Sequence, residues 1–310
     1  DPRLADSPYG VFEMPIPIQL VECPLQSSSR DSSVRRGKDM MKLRSIWFVV
    51  VAAGLVAGPT LGADEKAVVI TESQREAMTI LTAMANNLAS LKSFTVMFRD
   101  GYDVVQSTGQ KSEFGDTRTI TLSRPSQLRV EEISSDGTSD LTLFDGKNVT
   151  VLNAEDNVFA QAAQPGSIDD TLVYFVRDLK MRMPLARLLT TRLPVDLSKR
   201  VKTIDYVEST DINGVPTHHL AGRTDDVDFQ YWITEGDRPL PLRVVITYVH
   251  APGQPQFWAN FSNWNTSPQL PRTTFEFSLP KGARKLAFAA QLAQSDGGRQ
   301  PAPPVQEVKP

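Results

Sequence analysis

The sequence predicts an α+β fold: a strongly curled antiparallel sheet with amphipathic helices packed on its concave side. Alternating apolar and polar residues recur from about residue 94 to residue 278. Short turns rich in Gly, Pro and Asp join many of these runs, which favours antiparallel neighbours. Two other segments have apolar residues three and four apart, which is typical of helices. A sheet of this many strands is expected to curl.

The first element is a helix over residues 71–91. Either Thr71 with Gln74 or Ser73 with Glu76 can form a capping box at its start. An apolar stripe follows at helical spacing: Met78, Leu81, Met84, Ala85, Leu88 and Leu91. Because such a stripe must be buried on another layer, we expect this helix to pack on the sheet.

Strands follow the helix. Alternation predicts strands at residues 94–98, 119–122 and 128–131. Asp145-Gly146 then separates two further alternating runs, which predicts a tight hairpin.

The middle of the chain is predicted to be helical before strands return. Ser167 is expected to cap a helix over residues 168–180, and Pro184 to begin a second helix over residues 185–191. The later strands are predicted at residues 202–208, 217–222, 227–234, 242–248, 256–263 and 275–278.

An export signal is predicted near the N-terminus. Lys42 and Arg44 precede an apolar run over residues 46–57, and Pro59 and Ala63 follow that run. This order of charged, apolar and small residues is typical of a secretory signal peptide cleaved near Ala63. The run is shorter than the roughly 20 apolar residues that a membrane-spanning helix needs. We therefore expect a periplasmic protein that is not integral to a membrane.

The signal suggests a division of the chain into four parts. The first part is expected to be upstream sequence outside any domain, or alternatively a long targeting segment. A twin-arginine signal at Arg35-Arg36 is less favoured because no apolar stretch follows directly. The end of the chain is rich in Ala, Gln, Gly and Pro, which is typical of disorder. The parts are 1–39 upstream, 40–63 signal peptide, 64–288 a single domain and 289–310 a disordered tail.

Composition argues against several classes of function. The single cysteine, Cys23, lies in the upstream part, so the predicted domain has no disulfide, no reactive thiol and no cysteine for lipid attachment. The net charge of −3, without a clustered basic face, argues against nucleic acid.

Catalytic and metal-binding patterns are also missing from the sequence. His218 and His219 are adjacent on a predicted strand and should point to opposite faces, which disfavours a shared metal. No Gly-x-Ser-x-Gly motif and no phosphate-binding glycine loop occurs. We therefore expect no enzyme, no cofactor and no metal.

A series of short motifs resembles a known family. The motifs are Leu91-Lys92-Ser93-Phe94, Arg124-Pro125-x-x-Leu128-Arg129-Val130, Phe144-Asp145-Gly146-Lys147, Gly214-Val215-Pro216-Thr217-His218-His219, Asp228-Phe229-Gln230-Tyr231-Trp232 and Gly236-Asp237-Arg238-Pro239. Over residues 70–288 the chain resembles an uncharacterised family of predicted periplasmic proteins. That family is similar in fold to the LolA/LolB lipoprotein carriers and to the RseB sensor domain. The resemblance implies an incomplete barrel whose open side is filled by helices.

The resemblance also implies a function, because the cavity of the carriers holds acyl chains. We expect an apolar ligand, such as a lipid, an acyl chain or a lipoprotein, to bind between sheet and helices without catalysis. The candidate cavity residues are Met78, Leu81, Met84, Leu88, Phe94, Phe98, Phe229, Tyr231, Phe257 and Phe261. The same residues also suit an ordinary core. The alternative function is an envelope sensor that binds a protein partner, with Trp258 and Trp264 as candidate contacts.

Overall fold

One sheet of twelve strands dominates the part of the chain described by the computed structural model, residues 70–179 and 185–288. The strands are β1 (Ser93–Val105), β2 (Lys111–Ser123), β3 (Gln127–Ser134), β4 (Ser139–Phe144), β5 (Asn148–Asn153), β6 (Val158–Ala163), β7 (Thr203–Ile212), β8 (Val215–Arg223), β9 (Val227–Thr234), β10 (Pro241–Tyr248), β11 (Gln256–Asn265) and β12 (Arg284–Leu286). The predicted signal peptide, upstream part, tail and helix start at Pro184 lie outside the described residues.

The strands form two meanders joined along the middle of the sheet. Their order is β12-β6-β5-β4-β3-β2-β1-β11-β10-β9-β8-β7. Every neighbouring pair is antiparallel except β12 and β6, which run parallel. The terminal strands β12 and β7 do not pair with each other, so the sheet is curled but unclosed. The predicted fold class is confirmed.

Helix α1 (Glu72–Ser90) forms the layer over the second meander. It starts with the predicted capping box between Thr71 and Gln74, and it packs against β7, β8 and β9. Its last turn contains no basic residue. Arg124 supplies the missing donors, because its guanidinium donates to the carbonyls of Leu91 (3.0 Å) and Leu88 (3.5 Å). The arginine of the predicted Arg-Pro motif therefore ties the end of α1 to the sheet.

The other helices differ in part from the prediction. Helix α2 (Ile168–Arg177) begins with a capping box between Ser167 and Asp170 and ends before residue 180. The helix predicted over residues 185–191 is wrong, because only a short 3-10 helix (Ala186–Leu189) forms there.

Helix α3 (Leu193–Arg200) was not predicted. It carries Pro194 in its first turn. A proline in the first turn is compatible with a helix because the N–H that it lacks has no partner within the helix there.

The predicted strand over residues 275–278 is also wrong. Phe275 ends a 3-10 helix (Arg272–Phe275), and the following residues are irregular. The sequence pattern did not indicate β6 or β12. In β6 neighbouring residues are buried on both faces, so alternation is lost. In β12 only three residues pair, which is too short to show a period.

Candidate functional site on the concave face

All ten predicted cavity residues belong to, or pack against, one hydrophobic core between α1 and the concave face of the sheet. Met78 is partly buried, and the other nine are at most 8% exposed. This placement suits both an ordinary core and the wall of a ligand site. Their role as a cavity lining stays a prediction.

Strand register explains why the aromatic members share a face. Phe98 of β1 lies opposite Phe261 of β11, and their ring centroids are 5.3 Å apart. In β9, alternate residues are buried, so Phe229 and Tyr231 point to the same side and their rings lie 5.8 Å apart. We call Phe98, Phe229, Tyr231, Phe257 and Phe261 the aromatic region.

The same face becomes charged towards one end of the first meander. Arg118 of β2 is 8% exposed, and its guanidinium binds three carboxylates. Its Nε lies 2.9 Å from Glu132 Oε2, its Nη2 lies 2.6 Å from Asp116 Oδ2, and its Nη1 donates to Asp100. Asp140 lies opposite Glu132 on the neighbouring strand. We call these five residues the charged cluster.

The charged cluster contains four carboxylates and one guanidinium. Asp100 Oδ2 and Asp140 Oδ1 are buried and have no hydrogen-bond partner among the described residues. Burial raises the pKa of Asp100 to about 6, although Arg118 opposes the shift. Burial also raises the pKa of Asp140 to about 6, and the charge of Glu132 adds to the effect. Both acids therefore change charge state near pH 6.

Arg118 remains charged throughout. Burial lowers its pKa, but the carboxylates of Glu132 and Asp100 more than offset this, so the pKa lies above its ordinary value. The cluster was not predicted because its members are scattered in sequence. Only strand register brings Arg118 opposite Glu132, and Glu132 opposite Asp140.

A partly exposed pair of aromatic rings lies beyond the charged cluster. Tyr102 of β1 faces Phe114 of β2, with ring centroids 6.1 Å apart, and Phe114 is 46% exposed. Along β1, the concave face therefore changes from buried rings to buried charges and then to the partly buried ring of Tyr102.

The two adjacent histidines point to opposite faces, as predicted. His218 Nδ1 lies 3.3 Å from the hydroxyl of Tyr206. His219 stacks on Trp232 with centroids 4.1 Å apart, and its Nε2 lies 2.9 Å from Gln230 Oε1. Within residues 70–179 and 185–288, no group of three or more His, Cys, Asp or Glu is placed to hold a metal ion.

Comparison with protein families identifies the group to which the chain is related. Residues 77–289 match a family model described as "Predicted periplasmic protein (DUF2092)". The chain belongs to the DUF2092 family. This confirms the resemblance to a family of predicted periplasmic proteins that the sequence motifs indicated. A search of curated protein sequences returned no match.

Solved structures similar to this DUF2092 chain come from several bacteria. Lipoprotein LppX from Mycobacterium tuberculosis is 14% identical, with a TM-score of 0.40 over 64% of this chain and 100% of LppX. LolA superfamily protein NE2245 from Nitrosomonas europaea is 11% identical, with a TM-score of 0.33 over 65% of this chain and 97% of that chain. A chain of the Pseudomonas aeruginosa MucA/MucB complex is 14% identical, with a TM-score of 0.37 over 66% of this chain and 61% of that chain. Similarities at this level do not define a ligand or a partner.

The two tryptophans predicted as partner contacts lie in different places in this DUF2092 chain. Trp264 packs against core residues Phe94 and Phe261, with ring centroids 5.5 and 5.9 Å away. Trp258 lies on the outer face, where Arg243 sits over its ring at 5.9 Å and Glu113 accepts a hydrogen bond from its Nε1 at 3.1 Å. Neither ring therefore presents a fully free apolar surface.

The described part of the chain also bears on membrane insertion. None of its helices has the length and apolar character needed to cross a membrane.

Proposed function

We propose that this chain is exported to the periplasm and binds an apolar ligand, the acyl chain of a lipid or lipoprotein, between α1 and the concave face without catalysis. The observation that carries the proposal is that both walls of this site are apolar and belong to one continuous core of an unclosed sheet. Transfer of an acyl chain into such a site is driven by about 25 cal/mol per Å² of buried apolar surface.

The helix wall is suited to ligands of variable shape. Met78 and Met84 contribute flexible, polarisable side chains to the stripe of α1. Leu81, Met84 and Leu88 are at most 1% exposed, so the two walls are in contact. Ligand entry therefore requires α1 to move away from β7, β8 and β9.

The charged cluster sets one limit of the proposed site. An acyl chain placed against Asp100 and Arg118 would remove charged groups from their partners at a large energetic cost. The chain is therefore expected to lie along the aromatic region, with any polar part of the ligand towards the charged end.

Native mass spectrometry of protein purified from periplasm tests this proposal. We expect an added mass that disappears after organic extraction, and its return when palmitate or a diacylated lipopeptide is added. Met84→Trp should reduce the bound fraction because the larger ring occupies the place that the acyl chain must take when α1 moves away from the sheet. Thr82→Trp is the matched control, since Thr82 is exposed on the same helix. A clean unliganded mass that does not change with either probe would overturn the proposal.

A second candidate function is binding of a protein partner through the sheet edge. Strand β7 is an edge of the sheet. Ser73 of α1 already binds the backbone N–H and C=O of Tyr206, but Val207 beside it is 50% exposed. Exposed edges present unpaired backbone groups to which a partner strand can add. Crosslinking from position 207 in periplasm should then capture one reproducible protein, and its absence would count against this candidate.

A further inference from the structure

A pocket of about 750 Å³ lies on the outer face of the first meander, on the other side of the sheet from the aromatic region. Its sheet side is formed by Ser123, Gln127 and Gln161. The residues next to them in sequence, Leu122, Leu128 and Ala160, point into the core on the other face. Its other side is formed by residues 270–277, which cross the outer face before the chain reaches β12.

The crossing segment is held firmly on the sheet. Phe275 is 3% exposed, and the ring of Phe277 packs on Phe159 with centroids 5.6 Å apart. Farther along, Asn157 donates a hydrogen bond to the carbonyl of Lys281 at 3.2 Å. The wall of the pocket is therefore built by tertiary contacts.

The pocket presents polar groups whose hydrogen-bonding capacity is not used. Gln161 donates through Nε2 to Thr150 Oγ1 at 3.1 Å, which orients the amide and leaves its carbonyl oxygen unused. Asp145 Oδ1 accepts two backbone N–H bonds, at 2.8 and 2.7 Å, which leaves Oδ2 unused. Four further lining side chains make no hydrogen bond within the described residues: Ser123, Gln127, Arg272 and Glu276.

The mixture of these groups indicates the class of ligand. A free phosphate would meet the carboxylates of Asp145 and Glu276, and a simple cation would meet Arg272. A neutral molecule dense in hydroxyl groups can both donate to the carboxylates and accept from the amides and the guanidinium. Leu270, Pro271 and Phe277 add apolar surface suited to the C–H face of a sugar ring.

We propose that this outer pocket binds a saccharide of one or two sugar units. A volume of about 750 Å³ lies within the range of small-molecule sites. The pocket shares no residue with the predicted acyl-chain site, so the two proposals stand or fall separately.

Titration followed by ¹H–¹⁵N NMR spectroscopy tests the proposal on the exported protein. Glucose, N-acetylglucosamine, maltose and chitobiose are added separately at millimolar concentrations. We expect at least one of them to give saturable shifts of the side-chain amide signals of Gln127 and Gln161. Inorganic phosphate is titrated in parallel and is expected to give none.

Substitutions separate this pocket from non-specific binding. Gln161→Ala and Glu276→Gln should each weaken saccharide binding at least tenfold, and Glu276 is exposed, so its substitution should not disturb folding. Gln110→Ala, at an exposed turn, is the matched control and should leave binding unchanged. The proposal is overturned if no saccharide gives saturable shifts, if the shifts persist in both pocket variants, or if phosphate alone binds.

Discussion

The aromatic region and the charged cluster lie on the same concave face and share strand β1, yet they are stabilised differently. Phe98 and Asp100 are two residues apart on β1 and at most 1% exposed. Contacts with many apolar neighbours each stabilise the buried position of Phe98, and the loss of one contact leaves the others in place. Asp100 depends on a single cation, because among the described residues Arg118 alone supplies the positive charge that offsets its burial. The comparison indicates that burial alone does not reveal how sensitive a position is to substitution.

The largest expected effect comes from removing the cation of the charged cluster. Arg118→Met leaves three buried or partly buried carboxylates without a partner, which should lower the free energy of unfolding by about 3–5 kcal/mol. Urea denaturation measures this change. Arg118→Lys keeps the charge but cannot bind all three carboxylates. Its free energy of unfolding should therefore lie between those of wild type and Arg118→Met. A loss below about 1 kcal/mol in Arg118→Met would remove the contrast between the two regions.

A cavity in α1 over the aromatic region should lower the free energy of unfolding somewhat less than Arg118→Met does. Leu81→Ala removes a side chain that is 1% exposed, and we expect a loss of about 3 kcal/mol in the same assay. Val195→Ala on α3 is the control, because Val195 is 49% exposed and should change stability by less than about 0.5 kcal/mol. Equal effects of the two substitutions would mean that α1 is not packed on the core.

The two regions should also differ in pH dependence. The pKa of Asp100 is about 6 in the folded protein and 3.8 ordinarily, so the folded state takes up a proton at higher pH than the unfolded chain. The free energy of unfolding should therefore rise as the pH falls from 7 to 5, by about 1 kcal/mol from Asp100 alone. Unfolding midpoints measured across this range test the sign.

Two variants assign the pH dependence to the charged cluster. Asp100→Asn combined with Asp140→Asn should flatten the rise between pH 7 and 5. Asp228→Asn should leave it unchanged, because the hydrogen bond from Arg223 lowers the pKa of Asp228 and its titration lies below this range. A fall in wild-type stability over the same range would contradict the assignment.

The smallest expected effect concerns the start of α1. Thr71→Ala removes the side-chain acceptor for the N–H of Gln74 (3.2 Å). This should lower the free energy of unfolding by about 1 kcal/mol. Thr71→Ser keeps the acceptor and should be close to neutral. If Thr71→Ala cost as much as Leu81→Ala, the helix layer would depend on its cap more than on its packing.

Local patterns predicted much of this fold. The strand predicted at residues 227–234 is β9, the capping box at Thr71 forms, and Ser167 caps α2 as predicted. These features depend only on residues close in sequence. Helix α3 and strands β6 and β12 were missed because their residues show no clear period.

The candidate sites were harder to predict because they depend on register between distant strands. The aromatic members could be chosen because alternate positions in a strand share a face. The charged cluster could not, since nothing near Arg118 in sequence indicates that Glu132 and Asp100 lie beside it. The outer pocket depends in addition on the path of residues 270–277, the last part of which was assigned to a strand over 275–278.

The pairing of β1 with β11 has a consequence for the order in which the molecule is assembled. Each meander consists of hairpins that can close locally, but Phe98 and Phe261 are partners separated by 163 positions (261 − 98). Contacts of such long range are slow to form because a large loop must close first. Until β11 (residues 256–265) pairs with β1, strand β1 is an edge of its meander and the two meanders are separate. The last long strand of the described residues therefore completes a concave face whose first half is formed by strands from the beginning of the sheet.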